Sequence, residues 1–184
     1  MKQFQAQNTT KISKNFYGIN ESTMKCLSCG FFTYNFNIFS FIIFPLEEDR
    51  KYSIQRGQLL IINQRVKTLI ELVNNANQRK ITLKDCFEYN QKFYLLQGEN
   101  NLFCNHCHMS SNTYKYPKLF FTPKILCLVL NRGRVNIFNV KVDYPEFFDM
   151  SPFVQPFTVY KKYELIGVIT HFGESGEGSF YSYM

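Results

Sequence analysis

Hydrophobic and polar positions alternate most clearly between Phe31 and Phe44. Phe32, Tyr34, Phe36 and Ile38 interleave with Thr33, Asn35 and Asn37, which predicts a strand with one dry face and one wet face. From Ile38 onward both faces are apolar, as in a strand entering a core, so one long strand is expected that starts exposed and ends buried. Pro45 and the charged cluster Glu47 to Lys51 should end it. Leu59, Ile62, Val66, Leu69 and Val73 then recur at helical spacing and predict an amphipathic helix over about 58–74. Its first use would be packing on its own domain, its second the docking of a partner. Asn74 to Lys80 reads as a polar loop.

Thr82 followed by Asp85 has the form of a helix N-cap, and Leu83, Cys86, Phe87, Asn90 and Tyr94 share one face of the helix it opens. Cys86 is therefore expected as a small buried hydrophobe. Lys124–Leu130 reads as a central strand with Cys127 inside it, and deep burial would leave both thiols inert. Val135–Val142 and Tyr163–Thr170 are further expected strands, and Phe147–Phe153 is expected as a loop with at most a helical turn. Residues 1–14 are polar and expected to form a disordered tail. Asn15 to Gly18 then leads as a short strand toward Cys26.

Composition narrows the class. In 184 residues there are 20 Phe, 12 Tyr and no Trp, and 45% of positions are hydrophobic, which favours a folded, β-rich chain long enough to bury a core. Lys and Arg number 21 against 14 acids, giving a formal charge of +7. The basic residues are scattered; Lys161-Lys162 and Arg132 with Arg134 are the densest groupings, which argues against nucleic acid as a partner. No apolar run is long enough to span a membrane, and no signal segment opens the chain. The expected setting is intracellular, in cytoplasm or nucleus, where thiols stay reduced.

That setting bears on Cys26-Leu27-Ser28-Cys29 and Cys104-Asn105-His106-Cys107. Each Cys-x-x-Cys knuckle turns two thiolates to one side, and two knuckles make the tetrahedral four-sulfur set that a structural Zn2+ accepts. One Zn2+ held by Cys26, Cys29, Cys104 and Cys107 is expected, with Gly30 to Phe103 leaving the metal as an arm and returning. The plainer alternative is four core or disulfide-bonded cysteines.

In this order the features resemble the C-terminal two-thirds of a ubiquitin-specific protease domain, the cysteine deubiquitinases built as fingers, palm and thumb. The resemblance rests on Phe16-Tyr-Gly, Cys26-x-x-Cys-Gly, Ile81-Thr-Leu-Lys-Asp-Cys-Phe, the second knuckle, Pro123-Lys-Ile-Leu-Cys-Leu-Val-Leu-Asn-Arg132 and Tyr163-Glu-Leu-Ile-Gly-Val-Ile-Thr-His-Phe-Gly. It implies an α+β fold of the papain-like cysteine protease superfamily, with residues 15–184 forming part of the domain and the thumb missing. Mostly antiparallel β fingers would carry the four-cysteine zinc site, with palm strands over about 118–184 and two or more helices. The fingers would grip ubiquitin or a ubiquitinated protein, with Thr33, Asn35 and Asn37 on the wet face and His171 and Phe180 in the palm as contact candidates. The palm sheet would join Lys124–Leu130 to Tyr163–Thr170. The helix near 58–74 looks like an insertion, which with the uncovered palm face could dock a larger complex.

The resemblance also implies that the chemistry is lost. The family's Cys nucleophile precedes the fingers, where this chain opens, and its Asp or Asn lies beyond Met184. Its general base stands in a Gly-His-Tyr/Phe-x-Ala-Tyr box that reads here Gly178-Ser179-Phe180-Tyr181-Ser182-Tyr183, so Ser179 occupies the histidine position. A hydroxyl cannot take a proton near neutral pH as imidazole does. His171 is eight residues short of the box and is read as structural or tail-contacting. No catalytic residue is assigned. The expectation is an inactive ubiquitin-binding or scaffold module; the alternatives are a fragment of an active deubiquitinase with its nucleophile encoded upstream, and a structural zinc module of a larger assembly.

Overall fold

The computed structural model describes residues 10–62, 80–133, 140–173 and 178–184. In chain order the elements are α1 (Lys11–Phe16), β1 (Gly18–Cys26), β2 (Phe32–Phe39), β3 (Ile42–Pro45), α2 (Leu46–Ile62), β4 (Ile81–Thr82) and α3 (Leu83–Asn90). They continue with β5 (Tyr94–Leu96), β6 (Leu102–Cys104), β7 (Met109–Ser111), β8 (Thr113–Phe121), β9 (Leu128–Asn131), β10 (Val142–Asp143), β11 (Phe147–Asp149), β12 (Lys162–Glu164), β13 (Val168–Phe172) and β14 (Ser179–Tyr183). These belong to two compact units. Met1–Ile42, Asn90–Leu128 and Asp149–Tyr163 make the first; Ile43–Tyr89, Val129–Phe148 and Glu164–Met184 make the second.

The first unit is built on an antiparallel sheet in the order β2-β1-β8-β5. Register assigns its faces. Phe32, Tyr34, Phe36 and Ile38 lie opposite Lys25, Thr23, Glu21 and Ile19, while Thr33, Asn35 and Asn37 lie opposite Met24, Ser22 and Asn20. Across β8, Tyr114 and Tyr116 continue the aromatic face. The chain after β11 covers one end of this sheet. Val154 bridges to Leu119, the Gln155 N–H donates to the Leu119 carbonyl, and Leu119, Met150, Phe153 and Val154 are buried there. Glu21 is buried in the same region, accepting hydrogen bonds from Thr23 Oγ1 at 2.7 Å and Gln155 Nε2 at 3.2 Å.

The second unit packs α3 against β3 and the first turns of α2. Phe44 and Phe87 meet edge to face at 4.9 Å, Phe148 stacks on Phe87 at 5.5 Å, and Leu46, Ile81, Leu83 and Cys86 complete a buried cluster. The helix starts where the sequence expects it: Thr82 Oγ1 accepts from the Asp85 N–H at 3.1 Å, while Asp85 Oδ2 accepts from the Thr82 N–H at 3.0 Å and its hydroxyl at 2.7 Å. β4 pairs in parallel with β10, and β13 pairs antiparallel with β14.

Several expectations need correction. The long strand is broken at Ser40-Phe41 into β2 and β3, and its dry face is not covered. Phe32 to Ile38 are exposed throughout, along the outermost strand of the sheet. The charged cluster Glu47–Lys51 does not stop the chain but opens α2, with Glu47, Glu48 and Asp49 in its first turn. Acids there favour the positive end of the helix dipole, so the helix begins about a dozen residues before the expected 58. Residues 63–74 of the expected helix and most of the polar loop lie outside the described residues. Within the tail expected to be disordered, Lys11–Phe16 is helical, capped reciprocally by Thr10 and Ser13, and its end is tied by the Ile125 N–H donating to the Asn15 carbonyl at 2.8 Å. Residues 1–9 lie outside the description, as do 135–139 of the strand expected over Val135–Val142.

The palm expectation changes most. Lys124 to Cys127 are not strand, Cys127 is half-buried rather than deep, and β9 pairs with β3. The expected strand over Tyr163–Thr170 splits into β12 and β13 around Leu165–Gly167. Among the described residues, then, β9 and β13 belong to different two-stranded sheets rather than to one palm sheet. No helix among the described residues is long and apolar enough to cross a membrane.

Candidate metal centre and the hairpin that carries Ser179

The turn after β1 and the β6–β7 turn each present one knuckle, and the two are built alike. In the first, the Gly30 N–H donates to the Cys26 carbonyl at 2.9 Å; in the second, the His108 N–H donates to the Cys104 carbonyl at 2.8 Å. The residue after each second cysteine takes a left-handed backbone, with φ of 74° at Gly30 and 55° at His108. Glycine meets that demand freely at the first position, and histidine adopts it at the second at a modest conformational cost.

Closing both turns brings all four Sγ atoms within 4.8 Å of one another. Cys26 and Cys107 lie 3.9 Å apart and Cys29 and Cys104 lie 3.7 Å apart. A tetrahedral thiolate site with metal–sulfur bonds of ~2.3 Å has sulfur–sulfur edges of about 3.8 Å, so these two edges match such a site and the widest lies within about 1 Å of it. A disulfide needs sulfurs at ~2.05 Å, which excludes the disulfide alternative for these contacts.

Electrostatics divide the four thiols. A hydrogen bond from Ser111, helped by the backbone N–H groups of Cys29 and Ser28, lowers the Cys26 thiol to about 6. The N–H groups of Cys107 and His106 lower Cys104 in the same way. Desolvation, followed by hydrogen bonding to the neighbouring thiols, pushes Cys107 up to about 12. Sulfurs this close cannot all ionise alone; a divalent cation would let the remaining protons leave.

Two contacts cross between the knuckles without involving the sulfurs. Ser111, buried at the end of β7, accepts hydrogen bonds from the Ser28 N–H at 3.2 Å and the Ser28 hydroxyl at 2.8 Å. Phe31 stacks on His106 with centroids 4.5 Å apart. Sequence reasoning missed Ser28, Ser111 and the Phe31–His106 stack. A serine inside the first knuckle and a serine pair just after the second were the available signals, too common to single out.

The other expected contacts sit elsewhere. Thr33, Asn35 and Asn37 are exposed along β2, in the same unit as the knuckles. His171 and Phe180 are cross-strand partners in the β13–β14 hairpin of the second unit, with ring centroids 4.8 Å apart. Ser179 pairs with Phe172, one register step away. Gly178 precedes it at φ 147°, and a Cβ there would clash with the Phe172 carbonyl oxygen and stand 2.6 Å from His171 Nε2, so the close approach of the β13 backbone requires glycine. The hairpin is largely solvent-facing, with Ile169 and Phe180 each 75% exposed.

The chain matches the family described as "Ubiquitin carboxyl-terminal hydrolase" over residues 1–184. It is 33% identical over 104 residues to ubiquitin carboxyl-terminal hydrolase 17-like protein B of Mus musculus, covering 54% of this chain and 22% of that protein. With 17-like protein D of the same organism it shares 35% identity over 94 residues, 48% of this chain and 17% of the relative. It thus spans about a fifth of the length of these curated relatives. Its fold is similar to that in the SAGA DUB module containing Ubp8, Sgf11, Sus1 and Sgf73 bound to monoubiquitin. The TM-score is 0.67 at 19% identity, over 96% of this chain and 34% of that one. The same module bound to ubiquitin aldehyde gives a TM-score of 0.65 at 18% identity, again over 96% of this chain and 35% of the other. With the paired knuckles, the N-capped α3 and this α+β fold in place, the chain belongs to the ubiquitin carboxyl-terminal hydrolase family.

Proposed function

We propose that this chain is a zinc-bearing, ubiquitin-gripping module of a ubiquitin-specific-protease-like domain and that it supplies no general base of its own. The observation that carries this reading is Ser179 at the head of β14, where the family's box places a histidine. A serine hydroxyl neither accepts a proton at neutral pH nor activates a thiol, so the hairpin can line a path for the ubiquitin tail without driving its cleavage. His171 contributes contact rather than chemistry. Its ring lies tilted at 49° beside Phe180, close over Gly178.

Zn2+ fits the four thiols by donor type and spacing, and when bound it supplies charge neutralisation and a cross-link between two turns distant in sequence. The chain's own share is to aim those thiols. Backbone N–H groups of Ser28, Cys29, His106 and Cys107 point at the sulfurs of Cys26 and Cys104. The knuckles thereby pin the tip of the β2-β1-β8-β5 sheet, whose outer strand carries the candidate contacts Thr33, Asn35 and Asn37 beside Tyr34 and Phe36. The matched structures hold monoubiquitin and ubiquitin aldehyde, and that ligand class is the one proposed here.

The test is a ubiquitin probe carrying a C-terminal electrophile, incubated with the purified chain. The reading predicts non-covalent association and no adduct. An adduct on Cys86 or Cys127 would contradict it, as would hydrolysis of a ubiquitin amide.

A further inference from the structure

Resting on the zinc reading above, we infer that the Ser28–Ser111 hydrogen bond is a latch that joins the two knuckles independently of the metal and slows the metal's release. Ser111 is 4% exposed, its hydroxyl 2.8 Å from the Ser28 hydroxyl and 3.2 Å from the Ser28 N–H. Neighbouring backbone continues the join, with the Leu27 N–H donating to the Asn112 carbonyl at 2.9 Å and Ser111 Oγ donating to that same carbonyl at 3.0 Å. These bonds lock the middle of the first knuckle to the end of β7, which itself leads out of the second. Fluctuations that would separate Cys26 and Cys29 from Cys104 and Cys107 must break them as well as the metal–sulfur bonds.

The join is also placed to be strong. A hydroxyl this buried would be costly to strand, whereas Ser28 lies at the surface and delivers its donors into the site from outside. Ser111 is a positioning residue: by accepting from Ser28 and donating to the Asn112 carbonyl it holds the turn between Cys26 and Cys29 against the end of β7 without ligating. Partners that orient metal ligands in this way typically change metal affinity by about 10–100-fold when removed.

The experiment loads the full chain with Zn2+ and follows release to a chromogenic chelator, with the Co2+-substituted absorption spectrum as a second readout. Ser111→Ala should release zinc about tenfold faster and shift the thiolate-to-cobalt bands, and Ser111→Thr, which keeps the hydroxyl, should restore slow release. Ser28→Ala, at an exposed position where folding is not at risk, should release several-fold faster. The double alanine variant should be no faster than Ser111→Ala, because both remove one latch. Release rates within about twofold of wild type for both single variants, in a protein that holds zinc, would overturn the latch alone. A wild-type chain that takes up no metal would overturn the zinc reading and the latch with it.

Discussion

At the scale of one residue, Asp49 is a buried acid that the surrounding structure leaves poorly compensated. It is fully buried in the first turns of α2, facing the weak donor Cys86 on α3, with the Glu48 and Asp85 carboxylates nearby. Burial is the main reason its carboxyl is raised from 3.8 to about 7, and the neighbouring acids add to it. The sign follows by linkage: the folded protein holds this proton up to about pH 7, while the unfolded chain releases it near 3.8. Stability from this group therefore falls as pH rises through that window, and the full penalty is present above it. Asp49→Asn should leave the melting temperature little changed near pH 4 and raise stability by about 1–3 kcal/mol at pH 8. Thermal melts of both proteins at the two pH values check this, and an equal effect at both would refute the buried-acid account. Cys86, beside it, has its thiol pushed up by burial and then by Asp49, consistent with the inert packing role expected of it. Phe87, fully buried between Phe44 and Phe148, is the counterpart in packing; Phe87→Ala should cost about 3–5 kcal/mol in chemical denaturation.

Among the elements, α3 is the most local in its determinants. Its cap is reciprocal between Thr82 and Asp85, so Asp85→Ala should destabilise by about 1–2 kcal/mol and fray the first turn, seen as faster amide exchange at Leu83 to Cys86. Slow exchange in that turn in the variant would place its stability in packing instead. This helix was legible from sequence because the cap, the acid three residues on and the apolar face lie within one short window. The knuckles were legible for the same reason, since Cys-x-x-Cys fixes a turn whatever surrounds it. The dry face of β2 was misread because alternation tells which residues share a face but not whether anything covers it; Phe36 and Ile38 alternate as core residues do, yet face solvent. Asp49 was invisible in a charged cluster read only as the end of a strand. The palm strands failed because an apolar run such as Lys124–Leu130 does not reveal its hydrogen-bonding partner, and β9 found β3.

Taken whole, the molecule is a family member with much apolar surface in reach of solvent. On the first unit, Phe32, Tyr34 and Phe36 are exposed along β2; on the second, Ile169, Phe172, Phe180 and Tyr181 are exposed on the β13–β14 hairpin. Contiguous exposed apolar surface marks a place where another molecule binds. The purified chain should therefore self-associate and bind a hydrophobic dye, and Ile169→Lys with Phe180→Lys should reduce both. A monodisperse, dye-silent wild-type chain would contradict this. Metal removal acts at the same scale. Chelation should loosen the tip formed by β6, β7 and the end of β1 while leaving the Phe44–Phe87 cluster intact, read as local amide exchange around Cys26 and Cys104 rather than global unfolding. The proposed role is that of a zinc-pinned sheet that grips ubiquitin without cleaving it. Its most direct test is a titration of ubiquitin into the isotopically labelled, zinc-loaded chain, followed by amide shifts. Shifts are expected along β2 and the β13–β14 hairpin and should weaken when zinc is removed; no shifts at millimolar ubiquitin would overturn the proposed grip.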